Sequence, residues 1–208
     1  MIVGNPGVGK TTAAEMFYKA NDDVYLCRIT RVTRELQPML VRLCEAINVG
    51  CSKNQSQAEL YSLVLDFFAY QYFDQSPLLI LDEAQYLSDD SLECIRDLSD
   101  QTKIGITLMG NSGLKRWEKN KKGNFAQLRG RIAPIVEINA PHEDDLEVIC
   151  NSFNVKTGTA LIQKVVKKEG QLHTVMKLLK IAHELGETGQ PITETILKQA
   201  AIAIGVSL

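Results

Sequence analysis

The residues most able to do chemistry open the chain. Gly4-Asn5-Pro6-Gly7-Val8-Gly9-Lys10-Thr11 follows the spacing G-x-x-x-x-G-K-[ST]. Its glycines let a backbone turn tightly enough to wrap N–H groups round an oxyanion, and a helix starting near the lysine adds the positive end of its dipole. In such a turn, Gly4 through Thr12 would form a nucleotide-binding stretch. Lys10 would reach the β- and γ-phosphates, and Thr11 would offer its hydroxyl to Mg²⁺. A glycine-rich turn without a ligand is the plain alternative, and the strand-to-helix context weighs against it.

A second pattern supplies acids. Leu78-Leu79-Ile80-Leu81 is a run of branched aliphatics followed at once by Asp82-Glu83. An acid at the carboxyl end of a buried strand lies where ligands of open α/β sheets collect, so Asp82 can hold Mg²⁺ through water. Glu83 is then placed to orient or deprotonate an attacking water, a group that a mere nucleotide switch can omit. Alone, such a pair reads as the start of a helix. Asn111, after the apolar run Ile104 to Met109, suits contact with a γ-phosphate or the lytic water, or else simply a turn. Arg129 and Arg131 fit either an arginine finger on the transferring phosphoryl group or a contact to a nucleic-acid backbone.

These groups need a scaffold that brings strand ends together. Strands are expected at Met1 to Val3, Asp23 to Ile29, Leu78 to Leu81, Ile104 to Met109 and Ile135 to Ile138. Helices are expected at Lys10 to Ala20, Leu36 to Ile47, Gln57 to Phe73 and from the Ser88-Asp89-Asp90 cap to about Ser99. This alternation implies an α/β fold, a parallel sheet with helices on both faces. From Pro141 the pattern is all helical, at His142 to Phe153, Thr159 to Glu169, Leu172 to Leu185 and Thr193 to Ile204. The expected organisation is therefore a core over 1–140 and a small helical domain over 141–208.

Composition limits the alternatives. With 208 residues, 45% hydrophobic and 23% charged, the chain has an ordinary globular mixture. No run approaches the roughly 20 apolar residues of a membrane span, and the N-terminus has no signal-peptide pattern, so a soluble cytoplasmic protein without a membrane partner is expected. The five cysteines form no Cys-x-x-Cys pair and read as reduced thiols. The net charge of −2 is unevenly spread: between Ser112 and Arg131, seven basic residues stand against the single acid Glu118. Lys115, Arg116, Lys119, Lys121 and Lys122 are the candidate DNA contacts in that stretch, which otherwise reads as a solvated lysine-rich surface.

The ordered set GNPGVGKT, LLILDEAQYLS, LMGN and QLRGRI, followed by GQLHTVMKLLKIA in the helical part, resembles AAA+ P-loop ATPases. Within them it is most similar to the transposition-protein-B group of phage Mu and related transposon target-selection ATPases. The resemblance implies ATP and Mg²⁺ as cofactors, with Lys10 and Thr11 on phosphate and metal, Asp82 and Glu83 as the acidic pair, Asn111 as the first sensor, and Arg129 or Arg131 as a finger acting in trans. It also implies a helical lid, homo-oligomeric filaments or rings on double-stranded DNA with little sequence preference, stimulation of a transposase, and DNA contact near the basic segment. Three departures stand out. The chain begins three residues before the glycine-rich run, so the resemblance does not extend to the N-terminal DNA-binding region or to residues that enclose the base. His173 stands where a sensor arginine is usual, with Lys177 one turn on, and Gly130 separates the two arginines where serine is common. A nucleotide-gated interaction module without turnover is the rival reading. Another AAA+ task, such as helicase loading or energising secretion, is a third. A small-molecule kinase suits the acidic pair and lid less well.

Overall fold

The computed structural model describes residues 1–71, 77–119, 134–138, 141–169, 172–186 and 190–206, with the backbone alone described at 70–71, 118–119 and 168–169. Five strands, β1 (Ile2–Gly4), β2 (Val24–Arg28), β3 (Leu78–Asp82), β4 (Gly105–Gly110) and β5 (Val136–Ile138), form one sheet in the order β2-β3-β4-β1-β5. The β2–β3, β3–β4 and β1–β4 pairings are parallel. The N–H of Val136 donates to the carbonyl of Met1 at 2.9 Å, which joins β5 to the other side of β1.

Residues in β3 explain why the sheet is covered twice. Side chains alternate across a strand. Leu79 and Leu81 enter a large core with Met39, Leu40 and Leu43 of α2 (Leu36–Ala46), Leu60 and Val64 of α3 (Gln57–Gln71), and Leu92, Ile95 and Leu98 of α4 (Asp89–Thr102). Ile80 points the other way and packs with Val24, Met109 and Ala14 of α1 (Lys10–Ala20). The outer side of α1 leaves Met16, Phe17 and Tyr18 exposed.

Most elements fall within a residue or two of the expected positions, and the differences have local causes. Ser88 caps α4, its side chain accepting from the N–H of Ser91. That helix runs three residues past Ser99, because side chains one turn apart hold the extra length: Arg96 pairs with Asp100 at 3.2 Å and Gln101 donates to Asp97 at 2.8 Å. It stops at Lys103, which is left-handed with φ 62°. Two short 3-10 turns, Ala84–Tyr86 and Ser112–Leu114, and the five-residue α5 (Lys115–Lys119) were not expected, being too short to show a period.

The chain forms two compact units. One comprises Met1–Val3 and Lys10–Glu137, the other Gly4–Gly9 and Ile138–Leu208. In the second, α6 (Glu143–Ser152), α7 (Thr159–Glu169), α8 (Leu172–Leu185) and α9 (Glu194–Ala203) enclose Leu146, Ile162, Val165, Val175, Leu178 and Leu197. A parallel bridge joins Val155 and Ile192, which lie in the connections between these helices.

All five cysteines are free, and burial pushes the Cys27 thiol up to about 12. Among the described residues no cluster of three or more His, Cys, Asp or Glu side chains is placed to hold a metal, and no helix is long and apolar enough to cross a membrane.

Leu79 is fully buried, so Leu79→Ala is expected to cost about 2–5 kcal/mol of unfolding free energy in a denaturant titration. Met16 is 68% exposed, and Met16→Ala is expected to change the same measurement by less than about 0.5 kcal/mol.

Candidate functional site

In the first unit the acidic pair lies beside the start of α1. Asp82 ends β3 and is only 2% exposed, so its carboxylate must find donors within the protein. Thr11 supplies one, its hydroxyl donating to Asp82 Oδ2 at 2.8 Å, and the N–H of Glu83 donates to Oδ1 at 2.9 Å. The third partner is Arg28. It ends β2 in register with Asp82, its Nε 3.4 Å from Oδ2, and Nη2 donates to the Thr11 hydroxyl at 3.3 Å. Sequence reasoning did not single out Arg28. The available signal was a basic residue closing a strand whose neighbour closes with an acid.

Glu83 has φ 57° and ψ 31°, a left-handed conformation that a non-glycine residue adopts at a cost of order 1–3 kcal/mol. Gln85 engages its carboxylate: the side-chain amide donates to Glu83 Oε2 at 2.5 Å, and its oxygen accepts from the backbone N–H of Asn111 at 3.2 Å. Asn111 in turn accepts from the N–H of Gly113 at 2.8 Å through Oδ1, which turns its NH₂ group the other way. Lys10 is partly buried; desolvation lowers its pKa, while the nearby carboxylates of Glu83 and Asp82 act in the opposite direction. Lys10, Thr11, Asp82, Glu83 and Asn111, chosen from spacing, thus fall in one neighbourhood, and Thr12 is exposed on α1.

In the second unit the loop Gly4–Gly9 shows why glycine is needed. Gly7 and Gly9 have φ of 81° and 94°, and a Cβ on Gly4 would lie 2.7 Å from the carbonyl oxygen of Ile138. Asn5 and Pro6 are exposed and Val8 is buried. His173 meets this loop through its main chain: its N–H, a first-turn donor of α8, bonds the Gly7 carbonyl at 3.1 Å, while the residue remains exposed.

The basic stretch is only partly described. Lys115 pairs with Glu137 at 2.8 Å, and Arg116 donates to the Leu87 carbonyl at 2.6 Å with its guanidinium 5.0 Å from the centre of the Trp117 ring. Lys121, Lys122, Arg129 and Arg131 lie outside the described residues, as does the side chain of Lys119.

A phosphate-loop sequence after β1, an acid ending the buried strand β3 and a β2-β3-β4-β1-β5 sheet define a nucleotide-binding class of α/β protein. Residues 1–117 match the AAA domain family, and the chain belongs to it. Among individual proteins, it is 29% identical over 96% of its length to the ATP-dependent target DNA activator B of Escherichia phage Mu, and it spans 64% of that relative. It is 27% identical over 75% of its length to a Mu-like prophage FluMu DNA transposition protein B of Haemophilus influenzae, spanning 54% of that protein. The fold is also that of the Aeropyrum pernix ORC2 protein, solved as ADPNP–ADP complexes (TM-score 0.71, 16% identity, 98% of this chain and 61% of that one).

A polyphosphate taken up at Lys10 would add negative charge beside the ammonium and raise its desolvation-lowered pKa again. Proton uptake is therefore expected on binding tripolyphosphate in alkaline buffer, with affinity falling as pH rises beyond the free-state pKa. Calorimetry in two buffers of different ionisation enthalpy measures it, and Lys10→Met is expected to abolish the uptake.

Proposed function

We propose that this chain is an ATPase that binds double-stranded DNA with little sequence preference and acts in DNA transposition. The observation that carries the ATPase part is the hydroxyl of Thr11 set 2.8 Å from the buried carboxylate of Asp82, with Glu83 next in the chain. The names of the phage and prophage relatives support the transposition part.

Residues Gly4 to Thr12 bind the triphosphate, Lys10 taking the β- and γ-phosphates. A hydroxyl and a carboxylate are hard oxygen donors of the kind Mg²⁺ prefers, so Thr11 and Asp82 are the residues that would hold it. The chemistry it would supply there is neutralisation of charge on the phosphate oxygens. Glu83 orients the attacking water and accepts its proton as the water oxygen bonds to the γ-phosphorus and the bond to the ADP oxygen breaks. Asn111, whose NH₂ is aimed away from its capping contact, donates to the γ-phosphate or that water. Arg129 or Arg131 supplies the finger from a neighbouring copy in an ATP-dependent filament or ring. His173 takes the place of the sensor arginine in a helical domain over 141–208 that follows the core over 1–140. Lys115, Arg116, Lys119, Lys121 and Lys122 form the DNA-facing segment, and a transposase is the protein partner.

Lys10→Ala is expected to abolish binding of a fluorescent ATP analogue. Glu83→Gln is expected to keep that binding and to lose about 100-fold or more in phosphate release. Normal turnover by Glu83→Gln would refute the role given to that residue. In filter binding, DNA retention is expected to require ATP and to fall steeply with salt; equal retention with and without nucleotide would remove the coupling between the two ligands.

A further inference from the structure

Gln85 connects two parts of the candidate site that belong to different strand ends. It is 8% exposed, and both ends of its amide are engaged, one with the Glu83 carboxylate and one with the N–H of Asn111. The surrounding backbone is shaped to receive it. A Cβ on Gly110 would lie 2.0 Å from the Gln85 oxygen, far inside contact distance, and a Cβ on Gly113 would lie 3.2 Å from Gln85 Cβ. Gly110 therefore makes the space in which the amide oxygen lies, and Gly113 borders the aliphatic stem of the side chain.

We infer that Gln85 is a positioning residue: it fixes the Glu83 carboxylate relative to the end of β4 at Asn111, so that a shift of either is passed to the other. The inference rests on the hydrolytic reading above and adds to it the group that sets the direction of the water-orienting carboxylate. The chemistry requires this side chain. A glutamine amide both donates and accepts, so it can bridge a carboxylate and an N–H. A carboxylate at the same place lacks the donor. An alanine has neither group.

The geometry gives expectations for three variants of the full chain. Gln85→Ala is expected to lower kcat for ATP at least about tenfold while KM and the affinity for a fluorescent ATP analogue stay within about twofold, because Gln85 itself binds no phosphate. Gln85→Glu keeps the shape but loses the amide donor to Glu83, so it is expected to lower kcat as Gln85→Ala does, again with KM within about twofold. Gly110→Ala is expected to reproduce the kcat loss of Gln85→Ala by displacing the amide. If Gln85→Ala does not fold, the near-isosteric Gln85→Glu and Gly110→Ala still decide.

A wild-type chain that releases phosphate, beside Gln85→Ala and Gln85→Glu with unchanged kcat, would overturn the inference. A wild-type chain that releases none in the presence of DNA would instead overturn the hydrolytic reading. In that case the link is read by amide NMR without turnover. Glu83→Ala is expected to shift the Asn111 N–H resonance, and to shift it much less in a Gln85→Ala background. Equal shifts in both backgrounds would overturn the inference.

Discussion

The buried carboxylate of Asp82 constrains everything around it. At 2% exposure it depends on donors from the protein, and they come from separate places: the Thr11 hydroxyl on α1, the Arg28 guanidinium at the end of β2, and the N–H of the next residue. Each donor fixes a geometric relation. The Thr11 bond ties the start of α1 to the end of β3, and the Arg28 contact needs the β2–β3 register that pairs the two residues. Leaving such a charge with too few partners is expensive, so helix placement and strand register are held by the same group. The aliphatic run before Asp82 is what buries it, with Leu79 and Leu81 in the larger core and Ile80 in the smaller one on the opposite face.

Next to this charge the backbone takes an unfavourable turn. Glu83 is left-handed, and the 3-10 turn Ala84–Tyr86 follows at once. That turn brings Gln85 back towards β4, where its amide meets both Glu83 and Asn111. The conformation of one carboxylate is thus set jointly by a local turn and by a strand that lies next in the sheet although it comes later in the chain.

Much of this was legible in the sequence because it is local. The aliphatic run at β3, the Ser88 cap and the helical spacing of α2 and α8 each depend on residues within a few positions, and the glycine-rich loop with Lys10 and Thr11 is contiguous. What sequence missed is what register creates. Arg28 gains its importance from a neighbour 54 positions away in the chain that pairs with it across strands. Gln85 was noticeable only as part of the Asp-Glu-Ala-Gln run, since its contact with Asn111 depends on β3 and β4 being adjacent. The sequence position of His173 points to its ring, whereas the described contact comes from its main chain. Composition could not separate Lys115, paired with Glu137, from Arg116, bonded to the Leu87 carbonyl, because both count equally as positive charge.

The close fit of Gln85 between Gly110 and Gly113 also bears on how such a chain drifts over generations. Positions 85 and 110 are sterically coupled. A smaller residue at 85 would remove the severest obstacle to a side chain at 110, whereas position 113 would still be confined by Asn111, and a side chain gained at 110 first would press on residue 85. Changes at 85 and 110 should therefore travel together through descent.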